Sequence, residues 1–453
     1  MKLDFAAGKT YGLFGLGKTG DATMRAILAS GGTVYVWDDK DENIAMLSQE
    51  IAAVHIAPPE AWPWNKLEAL VLSPGIPLTH PVPHLVVELA EQHQCSIIGD
   101  IELLYRAQTD AHYIAITGTN GKSTTTSLVG HIMKLQEKSV EVGGNLGRAV
   151  LNFEPSENYV LELSSYQLDL LETTRFNIAV LLNFSPDHLD RHGDMAGYIE
   201  AKCHIFDRQQ PTDIAIIGVD EPYSEALSRK LLSAQQQRVI PISTTQILNE
   251  GVFVRDGVLH NRIADTEITA DIRSIKSLQG EHNWQNAAAA YAACFMHGLS
   301  HEQIVNAMQH FPGLAHRMQW LGEVNVVQYV NDSKATNADA TEKALKTYDH
   351  IHWIVGGVAK EGGIESLQHY FHKIKHAYLI GAAAEAFAAT LGEAVPHTHC
   401  ITLERAFAAA RVNAQKGESV VLSPACASFD QFKNFEHRGE MFMKLFEEIY
   451  HVV

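Results

Sequence analysis

The stretch IAITGTNGKSTTT, Ile114–Thr126, decides the fold at the centre of the chain. A short β-branched run precedes the glycines Gly118 and Gly121, and Lys122 and Ser123 then open a predicted helix. The N–H groups of such a turn and the positive end of the helix dipole favour a bound phosphate, while a lysine supplies a mobile cation for the β- and γ-phosphates. The stretch therefore predicts a nucleotide phosphate site.

The match to the P-loop signature is a variant, because Gly118 stands only three residues before Gly121. The alternative is an ordinary βα turn that carries the letters GKS. The strand, turn and helix around the motif favour the phosphate site, in which the hydroxyl of Ser123 or Thr124 would hold Mg²⁺.

Length, charge and cysteine content limit the class of protein. With 453 residues the chain is too long for one core and predicts about three α/β domains. A net charge of -18 argues against nucleic acid as a partner. Five scattered cysteines indicate neither a disulfide framework nor a zinc site. Because we find neither a membrane-spanning apolar run nor a signal peptide, we expect a cytoplasmic protein without membrane insertion.

A second glycine motif lies near the N-terminus, in YGLFGLGKTG at Tyr11–Gly20. A predicted strand at Thr33–Trp37 follows, and Asp38 and Asp39 stand where a carboxylate would meet a ribose hydroxyl. Such a turn indicates close approach of the backbone to a diphosphate, so any nucleotide diphosphate is admissible and nicotinamide is not required. A purely structural βα turn is the alternative.

Acidic and basic side chains follow the next predicted strands. Glu162 ends an apolar strand, where an unpaired carboxylate would cost several kcal/mol, so Mg²⁺ near the phosphate site would be a suitable partner. The residues Gly143–Asn145 before it predict a tight turn. A polar run with His188 follows the next strand, and Lys202 lies on a predicted helix at Met195–Phe206. Each histidine alone is most simply a surface residue, but together these groups indicate a metal and phosphate site.

The alanine-rich run Gln279–Met296 predicts a closely packed helix. Asn283 and Asn286 lie three residues apart, hence on one face near its start. Their amides could read the edge of an adenine, or they could cap the helix. The sequence leaves both interpretations open.

The last third of the chain again alternates between strands and helices. Four predicted strands, at Val326–Val330, His352–Val355, Ala377–Ile380 and Val420–Leu422, end in polar or glycine-rich segments. This pattern predicts a second Rossmann-like sheet. Polar, aperiodic residues near 106–112 and the Pro-Gly pair in 311–315 mark the expected domain boundaries.

Taken together, TGTNGKST, GGN, ELSSYQL, NFSPDHLDRH, HNWQN, NDSKATN and SPACASFDQFKNFEHRG resemble, in this order and spacing, the Mur ligases. The resemblance covers nearly the whole chain and implies an α/β protein of three domains. These are a Rossmann-like UDP-substrate domain at 1–108, a central P-loop-type ATP-binding domain at 109–313 and a Rossmann-like C-terminal domain at 314–453.

The resemblance also implies a reaction. NDSKATN and SPACASFDQF are similar to the members that join D-glutamate to UDP-N-acetylmuramoyl-L-alanine, a step of peptidoglycan precursor synthesis. ATP would phosphorylate the L-alanine carboxylate, and the amine of D-glutamate would displace phosphate from this acyl phosphate. The implied cofactors are ATP and Mg²⁺ at two sites, with no nucleic-acid partner and a monomeric chain expected.

The resemblance assigns roles residue by residue. The implied catalytic and metal-binding residues are Lys122, Ser123, Glu162, His188, Lys202 and Asn145, with Ser123 and Glu162 on one Mg²⁺ and His188 and a carbamylated Lys202 on the other. The implied ATP contacts are Gly118, Thr119, Asn120, Gly121, Lys122, Ser123, Thr124, Asn283, Asn286, Arg317 and Asp332. The implied UDP-substrate contacts are Lys18, Thr19, Asp38, Asp39, Lys40 and Gly75. The implied D-glutamate contacts are Lys334, Thr336, Lys360, Ser428 and Phe435.

Several rival functions stay open at this point. They are another Mur ligase, an amide ligase like folylpolyglutamate synthase, and a non-catalytic nucleotide-binding regulator with the same fold. Lys122, Glu162, His188 and Lys202 together argue against the regulator, because a protein that only binds a nucleotide has no need of a second metal site. A nicotinamide dehydrogenase built on the N-terminal glycines is the remote alternative.

Overall fold

A computed structural model describes residues 1–47, 54–136, 138–263, 266–360 and 362–450. The described chain forms two compact units: Met1–Ile272 with Glu281–Gln309, and Arg273–Gly280 with His310–Val453. The first unit contains two sheets, and the second contains one large sheet and a short ribbon. The α/β class predicted from the sequence is confirmed. Over the described ranges, no helix combines the length and the apolar character needed to cross a membrane.

The first sheet of the first unit is parallel, with strand order β3-β2-β1-β4-β5. The predicted second strand has the predicted bounds, because its apolar run is bounded by a glycine pair on one side and two aspartates on the other. The strands are β1 Thr10–Phe14, β2 Thr33–Trp37, β3 His55–Ile56, β4 Leu67–Leu72 and β5 Ile97–Ile98. The helices are α1 Lys18–Ala29, α2 Asp41–Leu47, α3 Leu85–Gln92 and α4 Asp100–Ala107.

The second sheet has nine strands in the order β14-β13-β12-β11-β10-β9-β6-β8-β7. Its strands are β6 His112–Thr117, β7 Val140–Gly144, β8 Asn158–Glu162, β9 Ile178–Leu181, β10 Ile214–Gly218, β11 Arg238–Ser243, β12 Val252–Arg255, β13 Val258–Asn261 and β14 Ile268–Asp271. Its helices are α5 Lys122–Leu135, α6 Ser165–Leu168, α7 Leu189–His192, α8 Met195–Cys203, α9 Pro222–Ala234, α10 Glu281–Met296 and α11 His301–Gln309. All pairs are parallel except β12 with β13 and β13 with β14, which are antiparallel.

Two local predictions for this sheet need correction. Gly143 and Gly144 do not form a tight turn: they end β7, which pairs in parallel with β8. Adjacent glycines are typical of a turn because they carry no side chain. In the structure, however, their pairing with β8 supplies the hydrogen bonds of a strand. The helix predicted over Met195–Phe206 is α-helical only to Cys203 and continues as a 3₁₀ turn.

The two sheets of the first unit are joined by a buried carboxylate on α4. Glu102 is 0% exposed and accepts hydrogen bonds from the backbone N–H groups of residues 172–174 and from the hydroxyls of Thr173 and Thr174. Arg106, one turn along α4, donates to the same carboxylate at 2.8 Å. The loop between α6 and β9 thus holds α4, a helix of the first sheet.

The second unit is built on a sheet of order β15-β16-β21-β17-β19-β20, in which only the edge strand β15 is antiparallel to its neighbour. The four predicted strands form its continuous parallel centre. The strands are β15 Gln319–Val324, β16 Val327–Asn331, β17 Ile351–Gly356, β18 Val358–Ala359, β19 Ile374–Ile380, β20 His397–Ile401, β21 Ser419–Leu422 and β22 Cys426–Ala427. The helices are α12 Ala338–Thr347, α13 Ala384–Leu391, α14 Leu403–Asn413 and α15 Phe435–Tyr450.

Candidate active site

The nucleotide phosphate site predicted from the sequence lies between β6 and α5, at the carboxyl edge of the nine-stranded sheet. We call its residues, 118–124, the phosphate cradle. Gly121 caps α5 in the left-handed region, with φ of 88°, and a Cβ there would stand 2.2 Å from Oδ1 of Asn286. Only glycine fits this position. The turn is held from β9, because Thr119 N–H donates to the carbonyl of Asn183 at 3.0 Å and Asn120 N–H donates to its side chain at 2.9 Å.

The side chain of Lys122 folds back over this turn. Its Nζ donates to the carbonyls of Gly118 and Thr119 at 2.8 and 2.9 Å. Ser123 and Thr124 follow in the first turn of α5, and both are buried. A cation on a long stem and two hydroxyls therefore stand at the same helix N-terminus, which is the arrangement that phosphate and Mg²⁺ require.

Glu162 lies at the end of β8, directly beside the cradle, and pairs with Ile116 of β6 in the parallel register. It is 3% exposed, and its Oε1 accepts a hydrogen bond from Nδ2 of Asn145 at 2.7 Å. Its Oε2 is also buried and has no hydrogen-bond partner among the residues that the structure describes. A carboxylate with one open oxygen fits a metal ligand better than a structural acid.

Lys202 reaches the same edge from α8. Its ammonium lies 3.5 Å from Oγ1 of Thr117 and 4.7 Å from the ring centre of Tyr198. Burial, together with the positive charge of Lys122, lowers the pKa of Lys202 to about 7. A large share of this side chain is thus neutral at neutral pH, which is the form of an amine that reacts with CO₂ to give a carbamate.

His188 lies just before α7 with a left-handed backbone, φ 52°. Its ring packs against Tyr166, with 5.2 Å between ring centres, and its Nε2 lies 3.5 Å from the Asp187 carboxylate. The guanidinium carbon of Arg191 lies over the ring of the same tyrosine, 4.7 Å from its centre. The histidine is therefore held by aromatic packing at the rim of the site.

The residues at this edge are suitable ligands for Mg²⁺. Within the described ranges, no three His, Cys, Asp or Glu side chains form a metal-binding group of their own. Mg²⁺ usually takes only one or two protein carboxylates and completes its shell with water and substrate phosphates. The open oxygen of Glu162 and the hydroxyl of Ser123 meet that requirement.

The amides of Asn283 and Asn286 lie within α10, which begins at Glu281, so neither of them is the N-terminal cap of the helix. Both are buried, and Asn286 donates to Asn283 at 3.2 Å. Thr125 of α5 donates to Oδ1 of Asn286 at 3.2 Å. The pair is thereby tied to the helix that carries the cradle.

The residues predicted for the UDP substrate cluster at the carboxyl edge of the first sheet. Asp38 accepts hydrogen bonds from the N–H groups of Leu16 and Lys40 and from the side chain of Asn43. Burial alone would raise the pKa of Asp38, but these hydrogen bonds outweigh it and hold the pKa below its usual range. The Asp38 carboxylate thus fixes the glycine turn.

Other members of this group lie close by. Lys18 and Thr19 open α1 after the glycine turn, and Asp39 lies 3.2 Å from His84. The carbonyl of Gly75 accepts a hydrogen bond from Arg191 at 2.9 Å. Arg191, which the sequence analysis did not select, therefore connects the UDP-substrate group to the loop of His188.

In the second unit, Asp332 follows β16 and is buried. It accepts hydrogen bonds from the Ser423 hydroxyl at 2.7 Å and from the Met318 N–H at 3.0 Å. Burial, only partly offset by these hydrogen bonds, raises its pKa to about 7. Arg317 lies in the loop before β15, next to Met318.

The residues predicted for D-glutamate come from three segments of the second unit. Lys334 and Thr336 lie in the loop after β16, and the Lys334 ammonium stands 5.6 Å from the ring centre of Phe435. Lys360 is exposed after β18, and Ser428 is buried after β22. Strands β18 and β22 pair as a ribbon, which brings the last two segments together.

Two family models match the chain: the Mur ligase middle domain over residues 116–294 and the Mur ligase glutamate ligase domain over residues 316–426. A protein of Paramagnetospirillum magneticum named UDP-N-acetylmuramoylalanine--D-glutamate ligase is 49% identical, over 97% of this chain and 96% of its own length. The chain belongs to the Mur ligase family. A Rhizobium meliloti protein of the same name is 46% identical over 96% of each chain.

Solved Mur ligase structures share the fold at lower identity. A UDP-N-acetylmuramoyl-L-alanyl-D-glutamate--2,6-diaminopimelate ligase matches with a TM-score of 0.61 at 18% identity, covering 100% of this chain and 94% of that one. The Thermotoga maritima MurF ligase, solved in complex with ADP, matches with a TM-score of 0.57 at 16% identity, covering 98% and 97%. At this identity the likeness supports the Mur ligase fold alone.

Proposed function

We propose that this chain is the ATP-dependent ligase that joins D-glutamate to UDP-N-acetylmuramoyl-L-alanine, giving ADP and phosphate. The observation that carries the proposal is the sheet edge where a phosphate cradle, a buried carboxylate with an open oxygen and a buried lysine meet. The names of relatives up to 49% identical supply the substrates. The activity belongs to the amide-bond-forming ligases of peptidoglycan synthesis.

The reaction has two steps. A carboxylate does not react with an amine until one of its oxygens becomes a leaving group, so the L-alanine carboxylate takes the γ-phosphate of ATP. The D-glutamate amine then attacks the acyl carbon, the C–N bond forms and phosphate leaves with the electron pair of the C–O bond. Phosphoryl transfer between anions depends mainly on positioning and on cations.

The residues of the first unit supply those cations and positions. Lys122 neutralises the β- and γ-phosphates once it releases the carbonyls of Gly118 and Thr119. Asn145 orients the Glu162 carboxylate by its 2.7 Å hydrogen bond, and we expect it to lie near the acyl acceptor. Mg²⁺, when bound, would supply positive charge that stabilises the phosphoryl group during its transfer. Ser123 and Glu162 would hold one Mg²⁺, and His188 and Lys202 a second.

Carbamylation of Lys202 is part of the proposal. A carbamate turns a cation into a carboxylate-like ligand, which resolves the repulsion between an ammonium and a metal. The lowered pKa of Lys202 supports it, because the neutral amine is the reactive form.

We also propose the nucleotide, UDP and D-glutamate contacts that the family resemblance implies. Asn283 and Asn286 contact adenine, and Arg317 and Asp332 contact other parts of the nucleotide. The UDP moiety contacts Lys18, Thr19, Asp38, Asp39, Lys40 and Gly75, and D-glutamate contacts Lys334, Thr336, Lys360, Ser428 and Phe435. We further propose domains at 1–108, 109–313 and 314–453, each with its own large sheet, and a monomer, because one chain supplies every group named. A cytoplasmic location suits a reaction that consumes ATP.

The decisive experiment measures phosphate release from ATP with UDP-N-acetylmuramoyl-L-alanine and Mg²⁺, adding D-glutamate, L-glutamate, L-alanine or L-lysine one at a time. Release that requires D-glutamate is the expected result. Release with a different amino acid would assign the chain to a sibling ligase, and no release with any would favour a nucleotide-binding regulator.

A second experiment tests the carbamate. Lys202→Ala should lose activity and regain part of it with short carboxylic acids, which replace the carbamate oxygens. The control is Lys122→Ala, whose lost cation no carboxylic acid can replace. Absence of rescue in Lys202→Ala would remove the carbamate from the proposal and leave the reaction untouched.

A further inference from the structure

Arg438 on α15 is a buried cation for which the reaction described above has no role. Its side chain is among the largest that are fully buried, with the residue 1% exposed. Its Nε donates to the Ser333 hydroxyl at 2.9 Å, and its Nη2 donates to the carbonyls of Ser333 and Cys426 at 2.8 and 3.1 Å. One guanidinium thus holds two separate loops.

These loops are the ones that carry the predicted D-glutamate residues. Ser333 immediately precedes Lys334, and its hydroxyl also donates to the carbonyl of Phe435 at 2.8 Å. Cys426 lies in β22, two residues before Ser428, and pairs with Ala359 of β18, the residue before Lys360.

The Nη1 atom of the same guanidinium points toward the start of the third loop. A Cβ built on Gly357 would stand 3.4 Å from it. Gly357 itself has φ of 132° and lies just before β18. The three segments that are predicted to surround the amino acid therefore all converge on Arg438.

The carboxylates of Asp430 and Asp332 stabilise the charge of Arg438 from a distance, but it has no direct ion pair within the described part of the chain. No carboxylate there lies within salt-bridge distance of it, and its buried Nη1 has no hydrogen-bond partner. Burial lowers the pKa of Arg438 to about 10, so the guanidinium stays protonated at neutral pH. Burying a cation without a direct ion pair is unfavourable, and a nearby anionic ligand would relieve that cost.

We propose that Arg438 is the positioning residue of the amino-acid site: it fixes the loops of Lys334, Lys360 and Ser428, and its buried charge, which has no direct ion pair in the described chain, selects an amino acid with an anionic side chain. This proposal rests on the proposed function. It assigns Arg438 a role in choosing glutamate over neutral amino acids, beyond holding the fold.

The experiment compares D-glutamate with D-glutamine, which differs in lacking the side-chain charge. In Arg438→Met we expect kcat/KM for D-glutamate to fall about 100-fold, because truncating a buried charge partner costs this much. For D-glutamine, whose side chain carries no charge, we expect a loss of only about five-fold. The preference for D-glutamate should thus fall at least about ten-fold, with KM for ATP within about two-fold of wild type.

Two further variants separate charge from folding. Lys444→Met removes an exposed charge from the same helix and should leave the preference unchanged. Arg438→Lys keeps the charge but not the planar fork, so it should keep most of the preference and raise KM for D-glutamate. Ser333→Ala removes one acceptor of Arg438 and should raise KM for D-glutamate while folding normally.

Equal losses for D-glutamate and D-glutamine in Arg438→Met would overturn the proposal. If that variant fails to fold, the Lys and Ala variants decide: unchanged KM for D-glutamate in both would equally overturn it. Failure of the proposed function is a distinct result, because the wild-type enzyme would then release no phosphate with D-glutamate.

Discussion

Glu102 and Glu162 are both buried carboxylates of the first unit, 0% and 3% exposed, but their surroundings differ. Both oxygens of Glu102 accept several hydrogen bonds, from Arg106 and from residues 172–174. Glu162 accepts one from Asn145 on Oε1, while its Oε2 has no partner in the described chain. Both oxygens of Glu102 therefore have hydrogen-bond partners within the protein, whereas one oxygen of Glu162 has none in the described chain.

The difference distinguishes a buried carboxylate that stabilises the fold from one that is available to bind a ligand. Burial raises the pKa of a carboxylate, yet the hydrogen bonds to Thr173, Thr174 and the backbone of residues 172–173 outweigh it and lower the pKa of Glu102 to about 2. Glu102 therefore stabilises the fold as an anion. Glu162 holds an open oxygen whose cost is relieved when a cation binds.

The largest effect should come from removing the cation of the phosphate cradle. In Lys122→Ala we expect ATP turnover to fall on the order of 10⁴-fold, because the phosphates lose their main mobile charge. Phosphate release measures it, with the exposed Lys134 of the same helix changed to alanine as the control. Turnover near the wild-type rate would exclude the phosphate cradle.

Glu162→Gln should lower phosphate release about 1000-fold, because a neutral amide is a poor Mg²⁺ ligand. The thermal midpoint should stay within about 2 °C of wild type, because no hydrogen bond to Oε2 is lost. Calorimetry beside the activity assay checks both. A large loss of stability with normal activity would place Glu162 in the same class as Glu102.

Glu102→Gln should do the reverse. The free energy of unfolding should fall by about 3 to 4 kcal/mol, because buried N–H and O–H donors lose their anion. At 25 °C, kcat should remain near wild type, since Glu102 lies outside the site. Urea denaturation gives the stability, and Glu91→Gln on the exposed face of α3 is the control. Unchanged stability would show that the joint between the two sheets of the first unit does not depend on this charge.

The smallest effect is in the pH dependence of stability. The folded pKa of Glu102, about 2, lies below its ordinary 4.5, so its contribution is present above pH 4.5 and is lost as the pH falls toward 2. The wild type should lose at most about 3 kcal/mol more than Glu102→Gln over this interval. Parallel curves for the two proteins would contradict the assignment.

Much of the fold was predictable from local pattern. The strand before the cradle, the helix after it and Thr33–Trp37 follow from apolar runs punctuated by glycine. Gly143 and Gly144 were wrongly predicted as a turn, because their strand pairing with β8 depends on residues that lie 18 positions away. Local pattern carries no information about such pairing.

The site residues that lie in sequence motifs were predictable, whereas the residues whose role depends on long-range contacts were not. Glu162 drew attention because it interrupts an apolar strand. Glu102 gave no such signal, since its partners Thr173 and Thr174 lie about 70 residues away in sequence. Arg438 stands in the motif FEHRG, but only the folded second unit shows that its hydrogen bonds join two loops.

The residues Arg273–Gly280 belong to the second unit, although the chain returns to the first unit for α10 and α11 before the rest of the second unit follows. Ser277 of this segment donates to the carbonyl of Phe311 at 2.6 Å. During synthesis the segment leaves the ribosome roughly 170 residues before the second unit is finished, which is about 10 to 30 s at ordinary translation rates. The nascent protein must therefore keep this segment available while α10 and α11 are made, so the second unit cannot complete its fold until its later residues have emerged.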